Sequence, residues 1–330
     1  MPDDLITHAR GCLIGLAIGD ALGGPTEGKT PGEILRQWER VSGFLTDGQA
    51  GSDDTEYALF NARILLTYGN TISAAAIAEE WKREVLSASN AYKGAGFSEM
   101  MAIRNLKEGL MPPASGQHLH SWSDGLAMRV APFGIVAAGR PLLASGLAAM
   151  DGSVTHSGEG ILAGQAVAVA IASAMTGNSL EDVFSSVRRE IPSDSWTMRG
   201  IERAIAIGEQ SSDVWSALDV LHRDIACTAY HWSDLGPEAV ALAFGLLAAS
   251  RGDFRDAVLG GVNIGRDTDT IAAIAGAILG ARQGIDALPR EWVSRVGTVR
   301  GVCLRVVQGA DILQTADQLA ALSRTWGSAP

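Results

Sequence analysis

Glycine recurs at every fourth position near the start of the chain, at Gly11, Gly15, Gly19 and Gly23. On a helix this spacing forms one smooth stripe, where another backbone can approach closely. The stripe commits the first helix to tight packing against a second one. Composition agrees with that reading. Alanine and glycine are abundant and aromatic residues make up only 6%. Such a chain favours close-packed helices over a sandwich of β-branched and aromatic strands. No stretch shows the period of two that a half-buried strand requires. There is also no fixed-period repeat and no linker. The expected fold class is all-α, one domain over 1–330, although length alone allows two.

Helical patterns fill most of the chain. A helix from about Asp54 to Leu66 places Ala58, Ala62 and Leu65 on one face. The stretch 71–87 reads as an amphipathic helix capped by Thr71 or Ser73. Residues 88–125 are rich in Gly, Ser, Pro and His and read as loops around a short helix near 102–106. Long loops inside a compact domain are often functional. Further helices are expected at about 126–138, 141–150, 158–176, 199–207, 237–250, 254–264 and 270–283. A last one covers "TADQLAALSRTW".

Hydrophobic residues make up 47% and charged residues 19%, so the chain is not a disordered one. The net charge of −11 argues against general nucleic-acid binding, which needs a basic face. Cys12, Cys227 and Cys303 are scattered, without zinc spacing, and read as reduced buried thiols. The N-terminus has an acidic flank, and Asp20 interrupts its apolar run, so it reads poorly as a signal peptide. No uninterrupted apolar window has the length of a membrane span. A soluble, cytoplasmic protein without membrane partners is expected.

Two acid-and-hydroxyl clusters carry the chemistry. Ser52-Asp53-Asp54-Thr55 stands at the start of one apolar run, and Asp267-Thr268-Asp269-Thr270 opens another. Each fits a helix N-terminus, with Ser52 or Asp53 as one N-cap and Asp269 as the other. A second carboxylate is more than a cap needs. If the two helix starts converge, four carboxylates share a small volume and repel unless cations sit among them. An all-oxygen donor set selects hard ions: Mg²⁺, Mn²⁺ or Ca²⁺. Two such ions, roughly 3.5–4 Å apart, can hold and activate a bridging water.

The pair "GSDDTEYAL" and "GRDTDTIAAIAGAILGA", with the opening "GCLIGLAIGDALGGPTEG", resembles the ADP-ribosylglycohydrolase family over about residues 10–285. The resemblance implies a compact orthogonal multi-helix bundle with two Mg²⁺ or Mn²⁺ ions at its centre. It also implies hydrolysis of an N- or O-glycosidic bond to C1″ of an ADP-ribose or related ribose. Carried over by position, Ser52, Asp53, Asp54, Asp267, Asp269 and Thr270 are the expected metal ligands. Glu27 matches a glutamate beside the metals, and Glu27, Asp53, Asp54 and Asp269 are the expected catalytic acids. "SDGLAMR" at 123–129 resembles the substrate loop and makes Ser123, Asp124, Gly125, Met128 and Arg129 expected contacts. Asp124 stands where Asn is common. Gly125 would let a backbone N–H approach a phosphate, or is an ordinary turn glycine.

His156 matches a position near the ribose. Arg266 stands where many members have Gly or Asn, and would meet a ligand phosphate or form a surface salt bridge. Trp122 and Tyr92 would stack on a base, or simply pack. "GEGILAG" fits a G-x-G-x-x-A pattern, but with no strand before it a dinucleotide fold is not expected. His118, His120, His222 and His231 have no metal spacing.

The expected activity is metal-dependent removal of ADP-ribose from arginine of modified proteins, through an oxocarbenium-like transition state. Two alternatives stand beside it. One is the same chemistry on a small riboside, an ADP-ribosylated metabolite or nucleic acid. The other is a non-catalytic ADP-ribose binder or structural protein.

Overall fold

The computed structural model describes residues 2–87 and 93–326; Tyr92 lies outside them. The described residues form seventeen α-helices and no strand. α1 (Pro2–Gly23) is followed by α2 (Pro31–Trp38), α3 (Asp53–Tyr68) and α4 (Ala74–Glu80), the last continued by a π-helical turn, Trp81–Leu86. Then come α5 (Phe97–Lys107), α6 (Gly125–Arg129), α7 (Ala131–Val136), α8 (Pro141–Thr155) and α9 (Glu159–Ala174). α10 (Leu180–Glu190), α11 (Trp196–Gln210) and α12 (Val214–Ile225) lead to α13 (Gly236–Ala249), α14 (Phe254–Asn263) and α15 (Thr268–Gln283). The short α16 (Arg290–Val293) and α17 (Ile312–Thr325) close the series.

The glycine stripe finds its partner in α15. A β-carbon on Gly11, Gly15 or Gly19 would lie 2.2 Å from the carbonyl oxygen of Gly280, Gly276 or Ala272 in turn. The relation is reciprocal at Gly276 and Gly280. The two helices therefore run antiparallel with their backbones in contact. This brings the end of α1 to the start of α15, so Asp20 arrives beside Asp269. Both helices are buried on nearly every side, as core helices must be. The stretch Asp4–Thr26 proves apolar and long enough to cross a membrane by length and composition, which the sequence reading missed. Here 72% of its most apolar window is buried inside the protein.

Local chemistry explains the other departures. The expected helix 126–138 is two helices, because Pro132 has no N–H to donate back across the break at Val130. Ser73, not Thr71, caps the helix after 71: its hydroxyl accepts from Ala76 N–H. The stretch around 102–106 is a full helix, α5. The unexpected α2, α10 and α12 each open with a capping box, Thr30/Glu33, Ser179/Asp182 and Asp213/Ser216.

Candidate metal centre and active site

The starts of α3 and α15 meet. Thr270 Oγ1 donates to Asp54 Oδ1 at 2.9 Å across the junction. Ser52 occupies the N-cap position of α3 as the sequence suggested, but its side chain makes no capping bond there; at α15 the N-cap position falls to Asp267, not Asp269. The capping bonds of α3 come from another helix. The Asp20 carboxylate accepts from Ser52 N–H (2.8 Å), Ser52 Oγ (2.7 Å), Thr55 N–H (2.9 Å) and Thr55 Oγ1. Four donors use the lone pairs of Asp20, and the macrodipole of α3 adds to their attraction.

A pocket of about 280 Å³ opens at this junction. Asp53, Asp267, Asp269 and Thr270 line it, with the exposed Glu27 at the rim. Asp124, Gly125, Met128, Asp234 and Gly94–Gly96 line it as well. The rim is held by reciprocal backbone bonds, Gly28 N–H to Arg266 O and Arg266 N–H to Lys29 O. These bring the Glu27 loop alongside Asp267.

The acids crowd one another. One oxygen each of Asp20, Asp54 and Asp269 lies within 4.8 Å of the other two. Burial, then the charges of Asp20, Asp53 and Asp267, push Asp54 well above the usual carboxylate range. Burial and Asp267 do the same to Asp269. Asp53 is pushed up to about 8 by burial and Asp20. Glu27 is exposed as a residue, yet desolvation of its carboxyl and then Asp267 push it up to about 7.

These residues fit hard divalent cations. Asp54 Oδ2 and Asp269 Oδ1 are buried with no hydrogen-bond partner, and an ionised carboxylate oxygen only accepts. The hydroxyl protons of Ser52 and Thr270 are spent on Asp20 and Asp54, which leaves oxygen lone pairs to offer a cation. No His or Cys enters the group, so the donor set suits Mg²⁺, Mn²⁺ or Ca²⁺ better than zinc. Asp20 belongs to this group by distance, but its four hydrogen bonds make it the residue that positions the α3 motif.

Four expected substrate contacts, Ser123, Arg129, His156 and Arg266, are placed elsewhere. Arg129 is fully buried. Its guanidinium donates to Glu99 Oε1 (2.6 Å), Asp151 Oδ2 (2.8 Å), Thr155 Oγ1 (2.7 Å) and Gly125 O (2.9 Å). Four of its five N–H groups are used in this way, and it supports the 123–129 loop from behind. His156 is also buried, between Thr155 Oγ1 at Nδ1 (2.7 Å) and Ser123 Oγ at Nε2 (3.1 Å). Burial lowers its pKa to about 4, so the ring is neutral at pH 7. Ser123 Oγ spends its proton on Glu99 Oε2, so His156 donates from Nε2 and accepts at Nδ1. Arg129, Thr155, His156, Ser123 and Glu99 thus form a closed hydrogen-bonded ring beneath the loop. Arg266 pairs through Nε with the buried Glu238 at 2.6 Å and donates to Trp232 O at 2.9 Å. Its φ of 69° lies in the left-handed region, which Gly and Asn enter most easily.

Gly125 lines the pocket, but its missing β-carbon serves Glu99, whose Oε1 would lie 2.3 Å from it. Trp122 lies against Phe97, Trp196 and Tyr230. The sequence reading missed Asp20, Glu99, Asp151 and Asp234 as site residues. Asp20 alone had a visible signal, a charge inside a buried apolar helix.

A sequence profile described as ADP-ribosylglycohydrolase matches residues 1–329. The chain belongs to the ADP-ribosylglycohydrolase family. An uncharacterized protein of Archaeoglobus fulgidus is 34% identical over 86% of this chain and 90% of its own. The ADP-ribosylarginine hydrolase Tri1 of Pseudomonas putida is 25% identical, covering 97% of this chain and 82% of its own. The ADP-ribosyl-[dinitrogen reductase] glycohydrolase of Rhodospirillum rubrum is 26% identical over 88% and 90%. Among solved structures, an ADP-ribosylglycohydrolase-related protein complex superposes with a TM-score of 0.70 over 97% of this chain and 99% of that one, at 22% identity. The all-α architecture is thus a fold of ADP-ribosylglycohydrolases, and membership of the family supports hydrolysis of a glycosidic bond to ADP-ribose.

Proposed function

We propose that this chain is a divalent-metal-dependent hydrolase that cleaves the bond at C1″ of ADP-ribose, releasing ADP-ribose from arginine of modified proteins. The observation that carries the reading is the meeting of the two Asp motifs in one pocket, with Asp54 Oδ2 and Asp269 Oδ1 buried and unpartnered. Ser52, Asp53, Asp54, Asp267, Asp269 and Thr270 would hold two Mg²⁺ or Mn²⁺ ions. Bound there, the ions would supply Lewis acidity toward oxygen and the positive charge that the acids lack. Asp20 fixes the α3 motif, and Thr270 fixes Asp54 against α15. Glu27, at the rim beside Asp267, is placed to take up or return a proton. Positive charge that develops on the ribose during cleavage would face a pocket of carboxylates. Arginine as the leaving group is supported by the relative named ADP-ribosylarginine hydrolase.

The test is a turnover assay of the purified protein with an arginine-linked ADP-ribosyl peptide and with free ADP-ribose. Both are run with Mg²⁺, with Mn²⁺ and with a chelator. Expected is metal-dependent release of ADP-ribose from the peptide, and binding of free ADP-ribose without turnover. Binding of both without turnover would replace the enzyme with a binder. Turnover of neither would move the substrate to another riboside.

A further inference from the structure

We propose that Asp124 and Asp234 form a cation-recognising wall of the pocket that receives the guanidinium of the leaving group. The inference rests on the glycosidic hydrolysis proposed above and names the residues that choose its substrate. Asp124 is 3% exposed, lines the pocket, and has its Oδ2 buried without a hydrogen-bond partner. Asp234 lines the same pocket. Their segments are joined directly, through Asp124 N–H to Asp234 O at 3.3 Å and the bridge between Ser123 and Leu235. Asp234 Oδ2 accepts only a long bond, 3.3 Å, from Phe97 N–H.

These two acids come from other elements than the proposed metal ligands, although both feel the charge of Asp267. The ligands come from the starts of α3 and α15, whereas Asp124 precedes α6 and Asp234 precedes α13. Among the described residues that line the pocket, none is Lys, Arg or His. A wall with two carboxylates and no cation repels a phosphate and attracts a positive group. The diphosphate of ADP-ribose must therefore point away from it.

Two neighbouring carboxylates favour a flat, delocalised cation over a compact ammonium. A guanidinium can donate along its edges to both at once in a fixed geometry, which a compact ammonium does not match.

The experiment measures agmatine binding by calorimetry to the Mg²⁺-loaded protein, then to Asp234→Asn and Asp124→Asn. Asp234 is the less buried of the two, so its variant is the safer test of a folded protein. Wild type should bind agmatine, and each variant should bind it about tenfold more weakly or worse. Metal stoichiometry should stay the same. Where the protein turns over substrate, the preference for an arginine-linked over a serine-linked ADP-ribosyl peptide, as a ratio of kcat/KM, should fall in both variants. No agmatine binding to wild type, or equal binding to folded variants, overturns the proposal. So does loss of metal stoichiometry, which would make these acids ligands. Failure of the glycosidic reading shows differently, as no turnover of either peptide while agmatine still binds.

Discussion

Gly23 and Asp269 touch backbone to backbone: a β-carbon on Gly23 would lie 2.3 Å from Asp269 Cα. That contact is the end of the α1–α15 glycine register, and it sets the distance between Asp20 and Asp269. The packing of the core and the geometry of the acid site are therefore one problem. A methyl group anywhere along the stripe pushes the two helices apart and moves one half of the site relative to the other.

Gly15→Ala tests this directly. Its β-carbon would sit 2.2 Å from Gly276 O, an atom of a helix backbone that cannot rotate away. Overpacking of this kind costs about 3 kcal/mol or more. Divalent-metal affinity should fall with stability, because Asp20 and Asp269 move apart. Gly24→Ala is the control, since nothing lies within 4 Å of a β-carbon there. Denaturant midpoints and metal titrations of the two variants check the pair. Equal stability of the two would mean that α1 and α15 are not so closely seated.

Arg129→Met separates a supporting role from a substrate contact. The substitution leaves Glu99 and Asp151 buried without their cation, and breaking such a pair costs about 3–5 kcal/mol. The expected outcome is a lower denaturant midpoint. If stability held and only KM rose, Arg129 would be a ligand contact after all.

Much of this was legible in the sequence, and for physical reasons. The stripe at Gly11–Gly23 announced a close helix contact, and the contact exists; only the partner, α15, was hidden, because spacing states a need and not who meets it. The two Asp motifs announced a cation site, and they meet. The position of the α3 cap, Ser52, was legible, but not its bonds, because Asp20 reaches α3 from another helix. Glu159 does the same for α11, accepting from Trp196 and Thr197 N–H. Glu56 holds three successive N–H groups, those of Val302, Cys303 and Leu304. A cap supplied from far along the chain leaves no local signature. The capping boxes of α2, α10 and α12, by contrast, stood in plain view. The ring around Glu99 needed the fold, since it joins α5, α6 and α8 and the loops beside them.

The two Asp motifs should bind metal as one unit. Asp54→Asn and Asp269→Asn each remove an unpartnered carboxylate oxygen. Each should weaken Mg²⁺ or Mn²⁺ binding about tenfold or more, and the losses should not add in the double variant. Without metal, each should raise the melting temperature, because it removes one of several mutually repelling acids. Calorimetric metal titrations and chelated melting curves check both signs. Independent losses of affinity would split the site in two.

Chelation should also change how stability responds to pH. Burial places Asp53 near 8, with Asp54 and Asp269 well above their ordinary value. Unfolding returns each to about 4. From there upward the metal-free native protein holds more protons than the unfolded chain, so these groups lose their contribution as pH rises through the folded values. His156 acts in the opposite sense at lower pH: its folded value near 4 lies below the unfolded one, so its contribution grows with pH up to about 6.5. The clean window therefore lies between about pH 6.5 and 8, where only the acids change. Across it the melting temperature in chelator should fall. Bound ions compete with the same protons, so metal affinity should rise across the window. The gap between metal-loaded and chelated melting temperatures should widen steadily toward the alkaline end. Paired melting curves at several pH values check this. A gap that stayed constant with pH would mean that the ions and the protons do not share these carboxylates.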